Sequence, residues 1–95
     1  MNKLNLYTFV MDWNGGTYVS QFFTKSLNLA IEKWGNEINI DMLQINQKDK
    51  SNLIEKLQEE NPVLLDGLTN VWCISVDIKE NSELATINII LTHSS

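Results

Sequence analysis

The sequence predicts an α+β domain with the element order β-β-α-α-β-β, in which two helices pack on one face of a four-stranded antiparallel sheet. Three observations support this fold. The first two are pairs of strand-forming segments, one pair at each end of the chain, and in each pair turn-forming residues separate the two segments. The third comes from the middle, where apolar residues recur at helical spacing. The length of 95 residues fits one domain, which is expected to cover residues 1–95.

The first two elements are predicted to form a hairpin. Residues 3–13 and 17–24 are rich in strand-forming side chains. Asn14-Gly15 between them favours a two-residue type I′ turn, since both turn residues need a positive φ. Both faces of this hairpin carry apolar residues, so the sequence leaves open which face meets the helices. The turn predicts the cross-strand pairs Trp13–Gly16, Met11–Tyr18, Val10–Val19, Phe9–Ser20, Tyr7–Phe22 and Leu6–Phe23.

The middle of the chain is predicted to contain two helices. Ser26 is a suitable N-cap, and the apolar residues after it recur at i, i+3, i+4, i+7 and i+11, which is one helical stripe. A second helix is expected from about Asp49 to Glu60, and Pro62 ends it because the residue before a proline is kept out of helical geometry. Residues 36–47 alternate loosely and fit either a short strand or an irregular packed segment. The stripe of the first helix comprises Leu27, Ala30, Ile31, Trp34 and Ile38.

A second hairpin is predicted over residues 71–92, and its regular alternation is the strongest structural signal in the chain. In each strand the apolar residues occupy alternate positions, so they share one face. A four-residue loop from Glu80 to Glu83 would place both apolar sets on the same side of the sheet. A slip of one residue would expose one set to water, which favours this register. The predicted pairs are Lys79–Leu84, Ile78–Ala85, Val76–Ile87, Ile74–Ile89 and Trp72–Leu91.

The two hairpins are expected to join into one sheet. With the predicted strands numbered along the chain, the order 2-1-3-4 keeps neighbours antiparallel and lets the helical link cross over right-handed. This order sets the strand of residues 71–78 beside the first strand and leaves the C-terminal strand at an edge.

The composition restricts the classes of partner. The net charge is −5, and all seven basic residues are lysines that are scattered along the chain. Binding to duplex nucleic acid usually needs a clustered basic face, so no nucleic-acid partner is predicted. No apolar run reaches the roughly 18 residues of a membrane helix, and the N-terminus lacks the shape of a signal peptide. With a single cysteine, no internal disulfide is possible, and the sequence predicts a cytoplasmic protein without membrane contact.

Few residues offer catalytic chemistry. His93, the sole histidine, would be a general base or metal ligand in an enzyme, but its position near the C-terminus favours a solvated terminal residue. Cys73, the sole cysteine, is expected to be a small hydrophobe within the sheet instead of a nucleophile. Neither the Cys/His spacing of a zinc site nor a phosphate-binding glycine loop occurs. The sequence therefore predicts no catalytic residue, no cofactor and no metal site, and favours a protein that is not an enzyme.

The residues around the first turn are the best candidates for an interface. Trp13 and Tyr18 flank a tight turn, and aromatic residues at exposed turns are enriched among interface anchors. In the alternative, Trp13 folds back onto the sheet. One face of the hairpin carries Tyr7, Phe9, Met11, Tyr18 and Phe22. If the helices cover the opposite face, these residues form an exposed patch that implies a partner. If the helices cover these residues instead, no partner is implied. The predicted interface residues are Tyr7, Phe9, Met11, Trp13, Tyr18 and Phe22.

These observations favour a non-enzymatic protein-interaction domain, which is either a homodimer or a protein with a specific bacterial partner. The acidic balance, the two-sided first hairpin and the missing catalytic set support this hypothesis. Small acidic α+β domains of this kind are similar to the immunity and antitoxin proteins of bacterial toxin systems. The β-β-α order of residues 3–34 resembles the start of HicB-type antitoxins, a resemblance of element order without a shared motif. The resemblance implies a protein partner.

Two other functions stay open. One is a small-ligand or enzymatic domain with a pocket of several hundred Å³ between the sheet and the helices. The other is binding of single-stranded nucleic acid through aromatic stacking on the sheet. The pocket would be lined by Tyr7, Tyr18, Trp34 and Trp72, with Asp12 or Asp77 as its polar group.

Overall fold

The computed structural model describes residues 3–79 and 83–94, which form one antiparallel sheet and three helices. The predicted α+β class is confirmed, with five strands instead of four because a short additional strand pairs at one edge. None of the described helices is long and apolar enough to span a bilayer. In chain order the elements are β1 (Asn5–Trp13), β2 (Gly16–Thr24), α1 (Leu27–Asn36), α2 (Ile40–Leu43), α3 (Gln47–Glu59), β3 (Val63–Leu64), β4 (Val71–Asp77) and β5 (Leu84–His93).

The first hairpin has the predicted register. β1 and β2 pair along their full nine-residue length, starting from Trp13 opposite Gly16. Asn14 and Gly15 have φ values of 50° and 80°, so both turn residues lie in the left-handed region that a type I′ turn requires. A dipeptide that determines the turn type also determines the register of the strands that it joins.

The second hairpin is shifted by two residues from its predicted register. Ile74 lies opposite Ile87, where the prediction placed Ile89. Because side chains alternate with a period of two, this shift keeps every side chain on its predicted face. The predicted residue pairs are therefore wrong, whereas the residues predicted to point towards the core are correct. Of the predicted loop, residues 80–82 lie outside the described residues.

The strands are arranged in the order β2-β1-β5-β4-β3. The predicted order is wrong, because β5 lies beside β1 in the position expected for residues 71–78. β5 is the longest strand of the described sheet, with ten residues, and in this position it has a neighbour on each side. Its inward residues Ala85, Ile87 and Ile89 are fully buried. Burying an aliphatic side chain contributes roughly 1.5–3 kcal/mol, which favours placing this strand at the centre.

The helices begin at side-chain caps. The hydroxyl of Ser26 accepts a hydrogen bond from the backbone N–H of Leu29 at 3.3 Å, so the predicted N-cap of α1 is confirmed. Residues 36–47, which the sequence left open, contain the short helix α2. α3 begins at Gln47, earlier than predicted, because Asn46 and Asp49 form a reciprocal capping box before it.

The helices cover the aromatic face of the first hairpin. Phe9 is fully buried, and its ring stacks on that of Trp34 in α1 with the two centroids 5.7 Å apart. The Phe22 ring meets Phe9 edge-on at the same centroid distance of 5.7 Å. Aromatic side chains bury roughly 150–250 Å² each, more than the aliphatic residues of the opposite face offer, so covering this face stabilises the fold most.

Candidate protein interface

Four of the six residues predicted as interface candidates belong to the core of the described chain, and the other two are partly buried against it. The indole N–H of Trp13 donates a hydrogen bond to the carbonyl oxygen of Glu83 at 3.2 Å, so Trp13 folds back onto the sheet. A buried side chain cannot contact a partner, so the most exposed apolar residues of the hairpin, Val19 and Phe23, lie on its other face. The buried candidates are Tyr7, Phe9, Met11 and Trp13, and the half-buried ones are Tyr18 and Phe22.

The side of the sheet opposite the helices, called the outer face below, is almost uncharged. The chain contains seven lysines and twelve acidic residues, yet among the described strand residues of this face only Asp12 and Asp77 are charged. Solvated sheet faces are usually polar, whereas interface centres are depleted of charged residues. The composition of the outer face is therefore closer to that of a surface that contacts protein. Its strand residues are Leu6, Thr8, Val10 and Asp12; Thr17, Val19, Gln21 and Phe23; Val63; Val71, Cys73, Ser75 and Asp77; and Leu84, Thr86, Asn88, Ile90 and Thr92.

The outer face carries an exposed apolar patch on β1 and β2. Val19 and Phe23 of β2 are 64% and 58% exposed. Their cross-strand partners on β1 are Val10 and Leu6, which are half-buried. These four residues are called the outer patch. Neighbouring exposed apolar side chains of this kind are a signal of interaction sites.

A neutral polar pair separates the two apolar pairs of the outer patch. The side-chain amide of Gln21 donates a hydrogen bond to the hydroxyl of Thr8 at 2.9 Å. The Thr8 hydroxyl is also hydrogen-bonded to the hydroxyl of Thr92 on β5. Along β2 the outer face therefore presents an apolar, a neutral polar and a second apolar side chain in turn.

β2 is an edge strand of the described sheet and lacks the features that protect such strands. Natural edge strands are very short, or carry lysines, prolines or bulges. Residues 16–24 contain no charged residue and no proline, and they pair regularly with β1 along all nine residues. The opposite edge strand, β3, has two residues and directly follows Pro62. Of the two edges, only β2 is therefore suited to accept another strand.

The backbone groups of β2 alternate in direction. Trp13 and Gly16 flank a two-residue turn and therefore form a hydrogen-bonded pair. Every second residue after Gly16 is bonded to β1 in the same way. The N–H and C=O groups of the residues between them consequently point away from β1, and these residues are Thr17, Val19, Gln21 and Phe23.

The pocket expected between sheet and helices corresponds to a small apolar cleft beside β2. Its volume is about 140 Å³, below the roughly 300–1,000 Å³ of typical small-molecule sites. Ser20, Ile38 and Met42 line it, and Met42 is 60% exposed. The cleft opens next to the free edge of β2, so its apolar lining adds to the surface that a new strand at this edge would contact.

Only two of the four aromatic residues expected to line a pocket do so. Tyr7 packs against Trp72 with ring centroids 6.5 Å apart, away from the cleft, whereas Tyr18 and Trp34 do line it. Among the described strand residues of the outer face, Phe23 is the single aromatic residue and none is a lysine, which disfavours base stacking and phosphate contacts there.

The polar residues considered for chemistry are dispersed. The carboxylate of Asp12 accepts a hydrogen bond from the Thr17 hydroxyl at 2.6 Å near the turn of the first hairpin. His93 is exposed at the end of β5, and Cys73 is a half-buried free thiol of the outer face. Within residues 3–79 and 83–94, no group of three or more His, Cys, Asp or Glu side chains could hold a metal ion.

Comparison with known proteins yields no relative: no family model matches the chain, and neither does any curated protein or solved structure. The likeness of residues 3–34 to HicB-type antitoxins therefore stays a prediction. The surface of the molecule itself is the basis for assigning a function.

Proposed function

We propose that this chain is a non-enzymatic protein-interaction domain that binds its partner through the edge of β2 and the outer patch. The observation that carries the proposal is an unprotected nine-residue edge strand bordered by exposed Val19 and Phe23. A strand of this kind is a template for pairing with another chain, and natural monomers usually block it. The exposed apolar side chains of the same strand add contacts that unpaired backbone groups alone would not provide.

Binding proceeds by strand addition. A partner strand bonds to the outward-pointing backbone groups of β2, which supplies affinity, while side chains of alternate residues contact the outer patch and the cleft and supply specificity. Charged residues lie almost entirely on the helices and loops, where a net charge of −5 keeps the chain soluble. β2 itself is uncharged, so salt has little effect on the affinity of the strand pairing.

Two kinds of partner fit this surface. One is a second copy of the chain, and the other is a bacterial protein that the domain neutralises, as immunity and antitoxin proteins do. In either case the domain acts in the bacterial cytoplasm and needs no cofactor. The near-absence of charge at the interface favours a partner with an equally uncharged edge strand.

A charge-insertion experiment tests the proposal. The variant Val19→Lys with Phe23→Lys protects the edge and disrupts the outer patch, whereas Ser51→Lys with Gln58→Lys adds the same charge to exposed positions of α3. Each form is expressed at native level in its source cells, cross-linked and sized by mass. We expect the wild type and the α3 variant in one complex and the β2 variant alone. A complex that survives the β2 substitutions would overturn the proposal.

A further inference from the structure

Building on the proposed function, we infer that the partner is a second copy of this chain, paired antiparallel through β2 about a two-fold axis at Gln21. The same edge and the same outer patch are then used by both copies, as a two-fold interface requires. The two sheets continue into one another, and the helices of both copies lie on the same side.

The charge distribution selects a second copy over a charged partner. A basic protein would be recognised through several carboxylates, but residues 16–24 contain none; the carboxylate of Asp12 lies at the turn end of the hairpin, and Glu37 lines the cleft beside β2. Two copies of β2 bring no like charges together at the edge, although each chain carries a net charge of −5. Two β2 edges can therefore pair without repulsion between charged side chains of the two strands.

The alternation of backbone groups restricts the register. Hydrogen-bonded pairs across the new edge can form only between residues whose N–H and C=O point away from β1, which include Val19, Gln21 and Phe23. An axis at Gln21 pairs the two Gln21 residues with each other. The same register pairs Val19 with the partner's Phe23, and Phe23 with the partner's Val19.

Other registers match the side chains less well. An axis at Val19 would set Phe23 against the partner's Gly15, which belongs to the turn and not to the strand. An axis at Ser20 would set Val19 against the partner's Gln21, so that each apolar side chain meets a polar one. Of these three registers, only the one centred on Gln21 pairs Val19 with the partner's Phe23 and the Gln21 amide with the partner's Gln21 amide.

The Gln21 register also buries the exposed parts of both faces. On the outer side, the two outer patches merge into one apolar surface across the boundary. On the inner side, Ser20 lies opposite the partner's Phe22, so the small side chain beside the cleft meets an aromatic ring.

Cysteine cross-linking tests the register directly. In a Cys73→Ser background, Gln21→Cys places two thiols on one face at a Cα separation of about 5.5 Å, within the range that a disulfide accepts. Thr17→Cys is the matched control, because this register places position 17 of one chain about 27 Å along the strands from position 17 of the other. We expect Gln21→Cys to oxidise to a covalent dimer at least tenfold faster than Thr17→Cys, and the Cys73→Ser parent to have the mass of two chains in light scattering.

The outcomes separate this inference from the proposed function. A monomeric parent at high concentration, or fastest cross-linking of Val19→Cys or Phe23→Cys instead of Gln21→Cys, overturns the Gln21-centred dimer. The proposed function fails by a different result, namely a complex in cells that persists in the Val19→Lys, Phe23→Lys variant. If the β2 variant loses the complex in cells while the purified parent chain is monomeric, the same edge binds a different protein.

Discussion

Replacing Phe9 with alanine measures how much the aromatic face of the first hairpin contributes to the core. Phe9 is fully buried between the ring of Trp34, on which it stacks, and the edge of Phe22. Truncating a buried phenylalanine costs roughly 3–5 kcal/mol. Each aromatic contact adds about 0.5–1.5 kcal/mol beyond burial, so the upper part of this range applies. We expect the free energy of unfolding to fall by about 4–5 kcal/mol.

The matched control is Phe23→Ala on the outer face, where the side chain is 58% exposed. Both variants are unfolded in urea and followed by circular dichroism, at a concentration low enough for the chain to be monomeric. Phe23→Ala should change the free energy of unfolding by no more than about 0.5 kcal/mol. If Phe9→Ala does not fold, Phe9→Leu retains most of the volume and should cost roughly 1–3 kcal/mol. Equal costs at Phe9 and Phe23 would refute the assignment of the buried face.

Two further predictions concern a helix cap and a turn. Asn46→Ala removes the side chain that accepts from the Asp49 N–H at 2.7 Å, and should lower the free energy of unfolding by about 1 kcal/mol in urea titration. Asn52→Ala on the exposed side of α3 should cost less than about 0.5 kcal/mol, and equal losses would contradict the capping role. Gly15→Ala should cost about 1 kcal/mol, because alanine is strained at a φ of 80° although the added Cβ meets no atom within 4 Å. An unchanged urea midpoint for Gly15→Ala would argue against the type I′ turn.

The two hairpins show which local signals determine a register. Asn14-Gly15 favours one turn type, and that turn leaves a single pairing of β1 with β2. The second hairpin has no such dipeptide, and its register was predicted from the alternation of apolar residues alone. Alternation excludes a slip of one residue but not of two, since a slip of two leaves the faces unchanged. The observed pairing of Ile74 with Ile87 is such a slip.

The order of the strands is a property of the assembled sheet and has a weaker signature in the sequence. Connection rules favoured residues 71–78 beside β1, whereas burial favours β5 there because a central strand is covered by neighbours on both sides. Alternation within β5 predicted that Ala85, Ile87 and Ile89 point inward, which is confirmed. It did not indicate the strands with which β5 pairs.

The candidate interface was only partly predictable. The sequence identified both apolar faces of the first hairpin and left open which of them is covered. The larger area of the aromatic face could have decided this question, since burying Phe9 and Trp13 outweighs burying Val19. The absence of charge from residues 16–24 was also readable in the sequence. It became informative once the strand order made β2 an edge of the described sheet.

Amide hydrogen exchange at different protein concentrations tests the central claim most directly. The N–H groups of Val19, Gln21 and Phe23 point away from β1 and are free to exchange in the isolated chain, whereas a second β2 strand would bond to them. We predict that raising the concentration slows the exchange of these three amides at least tenfold and leaves the exposed amides of the helices unchanged. Exchange at β2 that does not depend on concentration, or new protection confined to α3, would contradict the account.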